Sequence, residues 1–175
     1  MSALGLVPHT GWTWLVCVAG TRAAPVVVRR DRVVACDVVD GELYHLAAER
    51  TRGRDAFVAT RRAHAVEAAC AALRAHVGDA TAAAVVGKQI ALAPLERIVA
   101  AHPLIHGAEG ELWRAIFADA AAALGLAATR SDASAVRRAH PARAAAAFLT
   151  AGKQAVGAPW NREVQDAALA AWAAL

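Results

Sequence analysis

Apolar residues in the first third of the chain come in short β-branched and aromatic runs separated by turn residues. Ala3–Val7 is one such run, Pro8-His9-Thr10-Gly11 has the composition of a turn, and Trp12–Ala19 follows and ends at Gly20. Pro25–Val28 and Val33–Cys36 make a third extended region around Arg29-Arg30-Asp31-Arg32. Charge of that density within an extended stretch predicts an exposed end or an edge strand, where it discourages further pairing. Connections this short predict an antiparallel meander.

The period then changes. From Asp55 on, Ala59, Ala63, Val66, Cys70, Leu73 and Val77 recur at steps of three and four, with Arg61, Arg62, Glu67 and Arg74 elsewhere on the wheel. This predicts an amphipathic helix, capped by Asp55 and stopped by Gly78. Thr81–Val86 is uncharged and suits a strand covered on both faces. Pro94 can open a short helix bearing Leu95, Ile98 and Val99, and Pro103 is expected to end it at His102. A long helix is expected from about Ala108 to Leu124, with Leu112, Trp113, Ile116, Phe117, Ala120 and Leu124 as its stripe and Gly125 as its stop. Leu126–Arg130 reads as a last strand. Beyond it, Ala142–Val156 is helical, Gly157-Ala158-Pro159 breaks it, and Asn161 can cap a final helix carrying Val164, Ala168, Ala171, Trp172 and Leu175 on one face. The order is three strands, helix, strand, helical crossover, strand, helices. The fold class is therefore α/β: one mixed five-stranded sheet, three antiparallel strands then two parallel ones, flanked by helices.

Composition narrows the function classes only slightly. A chain of 175 residues, 58% hydrophobic and 19% charged, can bury a core and is sized for one domain, residues 1–175. The 19 Lys+Arg against 15 Asp+Glu permit an anionic partner without demanding one. Arg50, Arg52, Arg54, Arg61 and Arg62 are the densest basic cluster and the candidate nucleic-acid contact. Cys17, Cys36 and Cys70 stand in no Cys-x-x-Cys spacing and read as small apolar residues of a reducing compartment. Pro8–Gly11 interrupts the uncharged start too early for a spanning helix, so a cytoplasmic location without a membrane partner is expected.

The element order resembles the ribonuclease H-like superfamily. The stretch Leu4-Gly5-Leu6-Val7-Pro8-His9-Thr10-Gly11-Trp12-Thr13 resembles the L-G-I-D-P-G-S-x-x-T opening of its Holliday-junction-resolvase branch. Nucleases of that fold hold two divalent metals with carboxylates from the first strand, the fourth strand and the last helix. Paired hard cations need such oxygen ligands to stabilise attacking and leaving oxygens together. Here Val7 stands at the first-strand position, Gly87-Lys88-Gln89 follows an acid-free fourth strand, and only Glu163 and Asp166 remain on the last helix. The resemblance therefore implies a degenerate metal-ligand set. Actin-like ATPases share the fold core and bind phosphate at the first turn; His9, Thr10 and Lys88 are the corresponding ligand-binding candidates.

Other chemistry is sparse. His102 and His106 have the spacing of helical metal ligands, but Pro103 between them is expected to disturb the helix, so no metal site is assigned. Glu109 and Glu111 suit a first helical turn, where carboxylates oppose the helix dipole. Trp12, Trp14 and Trp113 are expected to serve packing before stacking on bases, and Trp160 to be the most exposed tryptophan. The leading expectation is a non-catalytic, nucleic-acid-associated protein. One alternative is a homo-oligomeric interaction module without nucleic-acid binding. Another is a rewired metal-dependent hydrolase using His106, Glu109, Glu111 and Asp166. A divalent cofactor enters only under that last reading.

Overall fold

The computed structural model describes residues 1–175, with five strands in one sheet of order β3-β2-β1-β4-β5. β1 (Ser2–His9) and β2 (Trp12–Thr21) pair antiparallel, as do β2 and β3 (Ala24–Val34). β4 (Ala80–Val86) lies parallel to β1, and β5 (Ala127–Ser131) parallel to β4. The turn is shorter than its composition suggests: Pro8 and His9 stay in β1, and Thr10-Gly11 alone reverse the chain. Gly11 takes φ +78°, and a Cβ there would fall 2.5 Å from the Cys36 carbonyl oxygen. The two apolar runs around Arg29–Arg32 join into one continuous strand at the sheet edge, because paired β2 supplies hydrogen bonds across the charged stretch.

Helices cover both faces. On one lie α1 (Val38–Gly41), α2 (Leu43–Ala48), α3 (Arg54–Val77), α4 (Leu95–Val99) and α5 (His102–Ala123). On the other lie α6 (Ala133–Arg138), α7 (Ala142–Val156) and α8 (Arg162–Ala174). Strand alternation divides the core accordingly. Leu4, Leu6, Leu15, Ala83 and Val85 pack with Leu73, Trp113, Ile116 and Phe117, whereas Val16, Val18, Ala84 and Val86 pack with Phe148, Val164, Ala168 and Trp172. β4 thus buries residues on both faces, as its uncharged run requires. No helix is long and apolar enough to cross a membrane.

Several boundaries differ from the sequence pattern. Pro103 does not end a helix at His102. It occupies the first turn of α5, where its missing N–H would have had no intrahelical partner. Glu109 and Glu111 consequently sit inside α5, 3% and 8% exposed, rather than in a solvated first turn. Asp55 is not a cap: Gly53 is the N-cap residue of α3, at φ +67°, and Asp55 lies in the first turn. Along α3, Ala65, Ala69 and Leu73 carry the buried contact while Ala59 and Ala63 are exposed. Asn161 does cap α8, its side chain accepting from the Val164 N–H at 3.0 Å.

The seat of α8 depends on Gly5. A Cβ at that position would lie 1.8 Å from the Ala167 carbonyl oxygen, so helix backbone rests directly on β1. This close approach brings the first turn of α8 to the carboxyl end of β1.

Candidate functional site

Strands β1 and β4 are parallel and finish at the same end of the sheet, where α8 begins on one face and α5 on the other. Val7 and His9 share the α8 face of β1 by alternation, with Val7 packed against the α8-side core. His9 Nε2 lies 3.3 Å from Glu163 Oε2. Asp166 is 5% exposed and ion-paired through Oδ1 to Arg137 Nε of α6 at 2.6 Å. Burial pushes its carboxyl above the usual aspartate range, and the Arg137 guanidinium pulls the other way. After β4, Gly87 is filled by the Arg114 side chain, and Lys88 projects into solvent. This donor set does not fit a pair of hard divalent cations. It has no carboxylate on the first strand and none on the fourth, and its two acids face the His9 ring and the Arg137 guanidinium.

Beside this position runs a ladder of aromatic and cationic groups. His9 stacks on Trp12 with centroids 4.0 Å apart and planes 5° apart. Arg32 of β3 covers Trp12 at 4.3 Å, and Trp12 meets Trp14 edge-on at 5.5 Å. Arg30 lies 5.9 Å from the Trp14 ring and donates to the Pro159 carbonyl oxygen at 2.9 Å. The expectation that these tryptophans serve packing holds for Trp113, which is 0% exposed and donates from Nε1 to the Gly41 carbonyl oxygen, and for Trp14, which packs against the α8-side core. Trp12 and Trp14 are half-buried at the strand end. Trp160 is also half-buried, its ring filling the space over Gly152. The sequence does carry a signal for the ladder: Trp-x-Trp on β2 opposite Arg-x-Arg on β3 puts all four side chains on one face, within diagonal reach.

The Arg50–Arg62 cluster is less free than its composition suggests. Arg54 pairs with Glu96 at 2.7 Å, Arg61 with Asp40 at 3.8 Å, and Arg62 with Asp119. Arg50 lies over Phe57 at 4.6 Å, and Arg52 is exposed. Thr10 is half-buried beside Gly41.

The four hydrolase candidates fall in three places. Glu111 Oε1 accepts from Arg130 at 2.5 Å, and its Oε2 accepts from Arg114 at 3.3 Å and the Ile90 N–H at 3.4 Å. Glu109 Oε1 accepts from the Tyr44 and His45 N–H groups at 2.6 and 3.3 Å, so a carboxylate from α5 satisfies the first turn of α2. Burial pushes the Glu109 carboxyl up, opposed by those two N–H groups. His106 projects from the same helix beside His102 and His45. Asp166 is across the sheet on α8. The three cysteines are unpaired, and burial pushes each thiol up, as apolar packing requires.

A five-stranded mixed sheet in this order, with a long helix on one face and a terminal helix crossing β1 on the other, is the ribonuclease H-like fold. Two solved structures of Thermus thermophilus RuvC share it. One, described as RuvC in complex with Holliday junction substrate, superposes with a TM-score of 0.57 at 15% identity, covering 98% of this chain and 90% of that one. The other superposes at 0.52 and 14% identity, covering 98% and 92%. No protein-family model matches the chain, and no curated protein matches it.

Proposed function

We propose that this chain binds structured nucleic acid along the Trp12–Trp14 side of its sheet and does not cleave it by two-metal hydrolysis. One observation carries the reading. Where a hydrolytic relative needs carboxylate ligands, the chain has Val7, a Glu163 set against His9 and an Asp166 ion-paired to Arg137, and beside them stands the Arg32–Trp12–His9 stack. Planar cations and aromatic rings at a strand end can meet sugar, base and phosphate at once. Use of the fold on a Holliday junction by the Thermus RuvC adds support. A hydrolase built on His106, Glu109, Glu111 and Asp166 would need groups that face three different surroundings.

Fluorescence anisotropy with a labelled four-way DNA junction, and a duplex for comparison, tests the reading. Submicromolar binding at low salt is expected, with log K falling linearly in log salt. Combined Trp12→Ala and Arg32→Ala should weaken it by roughly tenfold or more, since stacking is worth about 1–3 kcal/mol per base. No submicromolar binding at low salt, or full affinity in the double variant, overturns it.

A second reading has its own observation. Val26, Val28 and Val34 on edge strand β3 are 57%, 52% and 52% exposed, an apolar margin that a second copy could cover. A dimer by light scattering that ignores nucleic acid favours that reading, and a monomer removes it.

A further inference from the structure

We propose that His45, His102 and His106 bind one borderline divalent transition-metal ion, with zinc as the type, which clips α2 to the first turns of α5. The proposal does not depend on nucleic-acid binding. One nitrogen from each ring lies within 4.8 Å of the others, and this is the sole place in the chain where three ligating side chains gather so closely. The ring centroids are 4.4, 5.0 and 5.5 Å apart, each pair edge to face.

The backbone explains the gathering. Because Pro103 sits in the first turn of α5 instead of ending a helix, His102 and His106 are one turn apart on the same side. His45 arrives from α2, and Glu109 fixes it there by accepting from two N–H groups of its first turn. The same Oε1 is 3.6 Å from His45 Nδ1, which leaves Nε2 as the ring nitrogen away from the carboxylate. A carboxylate behind a ligating imidazole sets the ring and raises its basicity, as in many zinc sites. Glu109 Oε2 is buried and makes no hydrogen bond, so the carboxyl has acceptor capacity to spare.

Nothing else in the structure holds the outer two rings. His102 and His106 are exposed and form neither hydrogen bond nor ion pair. Three adjacent imidazoles offer three nitrogen donors that one cation can share. Neutral imidazole nitrogen suits zinc, nickel, cobalt or copper, and not magnesium. Nitrogens around tetrahedral zinc sit roughly 3.4 Å apart. Closing the cluster to that spacing requires rotamer adjustments that exposed His102 and His106 can make. Three protein ligands leave the fourth position to water or an exogenous ligand.

The test uses untagged, chelator-stripped full chain titrated with Co²⁺ and then Zn²⁺. The expected result is one Co²⁺ per chain with the visible bands of four-coordinate nitrogen ligation, displaced by Zn²⁺, and a Tm that rises with Zn²⁺ but not with Mg²⁺. Combined His102→Ala and His106→Ala should leave the metal-free Tm unchanged and lower metal affinity by at least about 100-fold, as loss of two of three ligands demands. His64→Ala, at an exposed histidine outside the cluster, should bind as the parent does. Absence of saturable 1:1 binding, or binding retained by the double variant, overturns the proposal.

Discussion

Glu109 and Glu111 are separated by one residue on α5 and so leave the helix on different sides. Burial alone would raise the Glu111 carboxyl, but the Arg130 hydrogen bond and charge, the Ile90 N–H and Arg114 outweigh it and hold it below the usual range. The unfolded chain therefore binds this proton more readily than the folded one. The Glu111 contribution to stability is complete above the unfolded glutamate value and is lost as pH falls through the folded one. Urea unfolding of Glu111→Gln should show a shallower stability loss than the parent as pH falls below the ordinary glutamate range. A parallel loss in both would remove Glu111 from the acid response. Val7 could be read from sequence because an aliphatic residue in a recognisable strand opening needs no coordinates to be disqualified as a ligand. The roles of Glu109 and Glu111 could not: the Glu109 partners stand 64 and 65 positions away, and beside neighbouring Arg114 the Glu111 carboxylate is held by Ile90 and Arg130, 21 and 19 positions away.

At the scale of elements, β1, β2, β4, the stripe of α5, and α7 and α8 followed their periods and punctuation closely. Failures cluster where local chemistry has two outcomes. Proline can end a helix or open one, and at Pro103 the choice was made by packing of the following turn, with Ile105 and Ala108 buried. Helices α1 and α2 have only four and six residues, too few to show a period, so His45 was not visible as a ligand. The approach of α8 to β1 gives a direct prediction. Gly5→Ala sets a Cβ against the Ala167 carbonyl oxygen and should destabilise the chain by about 3 kcal/mol, the upper end of typical overpacking costs. Chemical denaturation measures it. A change below about 0.5 kcal/mol, the size of an ordinary surface substitution, would mean that α8 does not seat as described.

For the whole molecule, element order was enough to reach the fold, because two short connections followed by two long helical ones leave few sheet topologies open. Charge density in the sequence does not show which cations are paired. Counting arginines pointed to Arg50–Arg62, where three of the five meet acids in space. The cations stacked on aromatic rings at the strand ends lie instead on β3, in the stretch read only as an edge. Under the proposed function, the carboxyl end of β1 engages nucleic acid without metal-dependent scission. Incubating end-labelled four-way junction with the protein in Mg²⁺ or Mn²⁺, and resolving it on native and denaturing gels, tests it most directly. A salt-sensitive retarded complex whose strands remain full length is expected. Strand cleavage that requires the metal and disappears in Glu163→Gln or Asp166→Asn would contradict it.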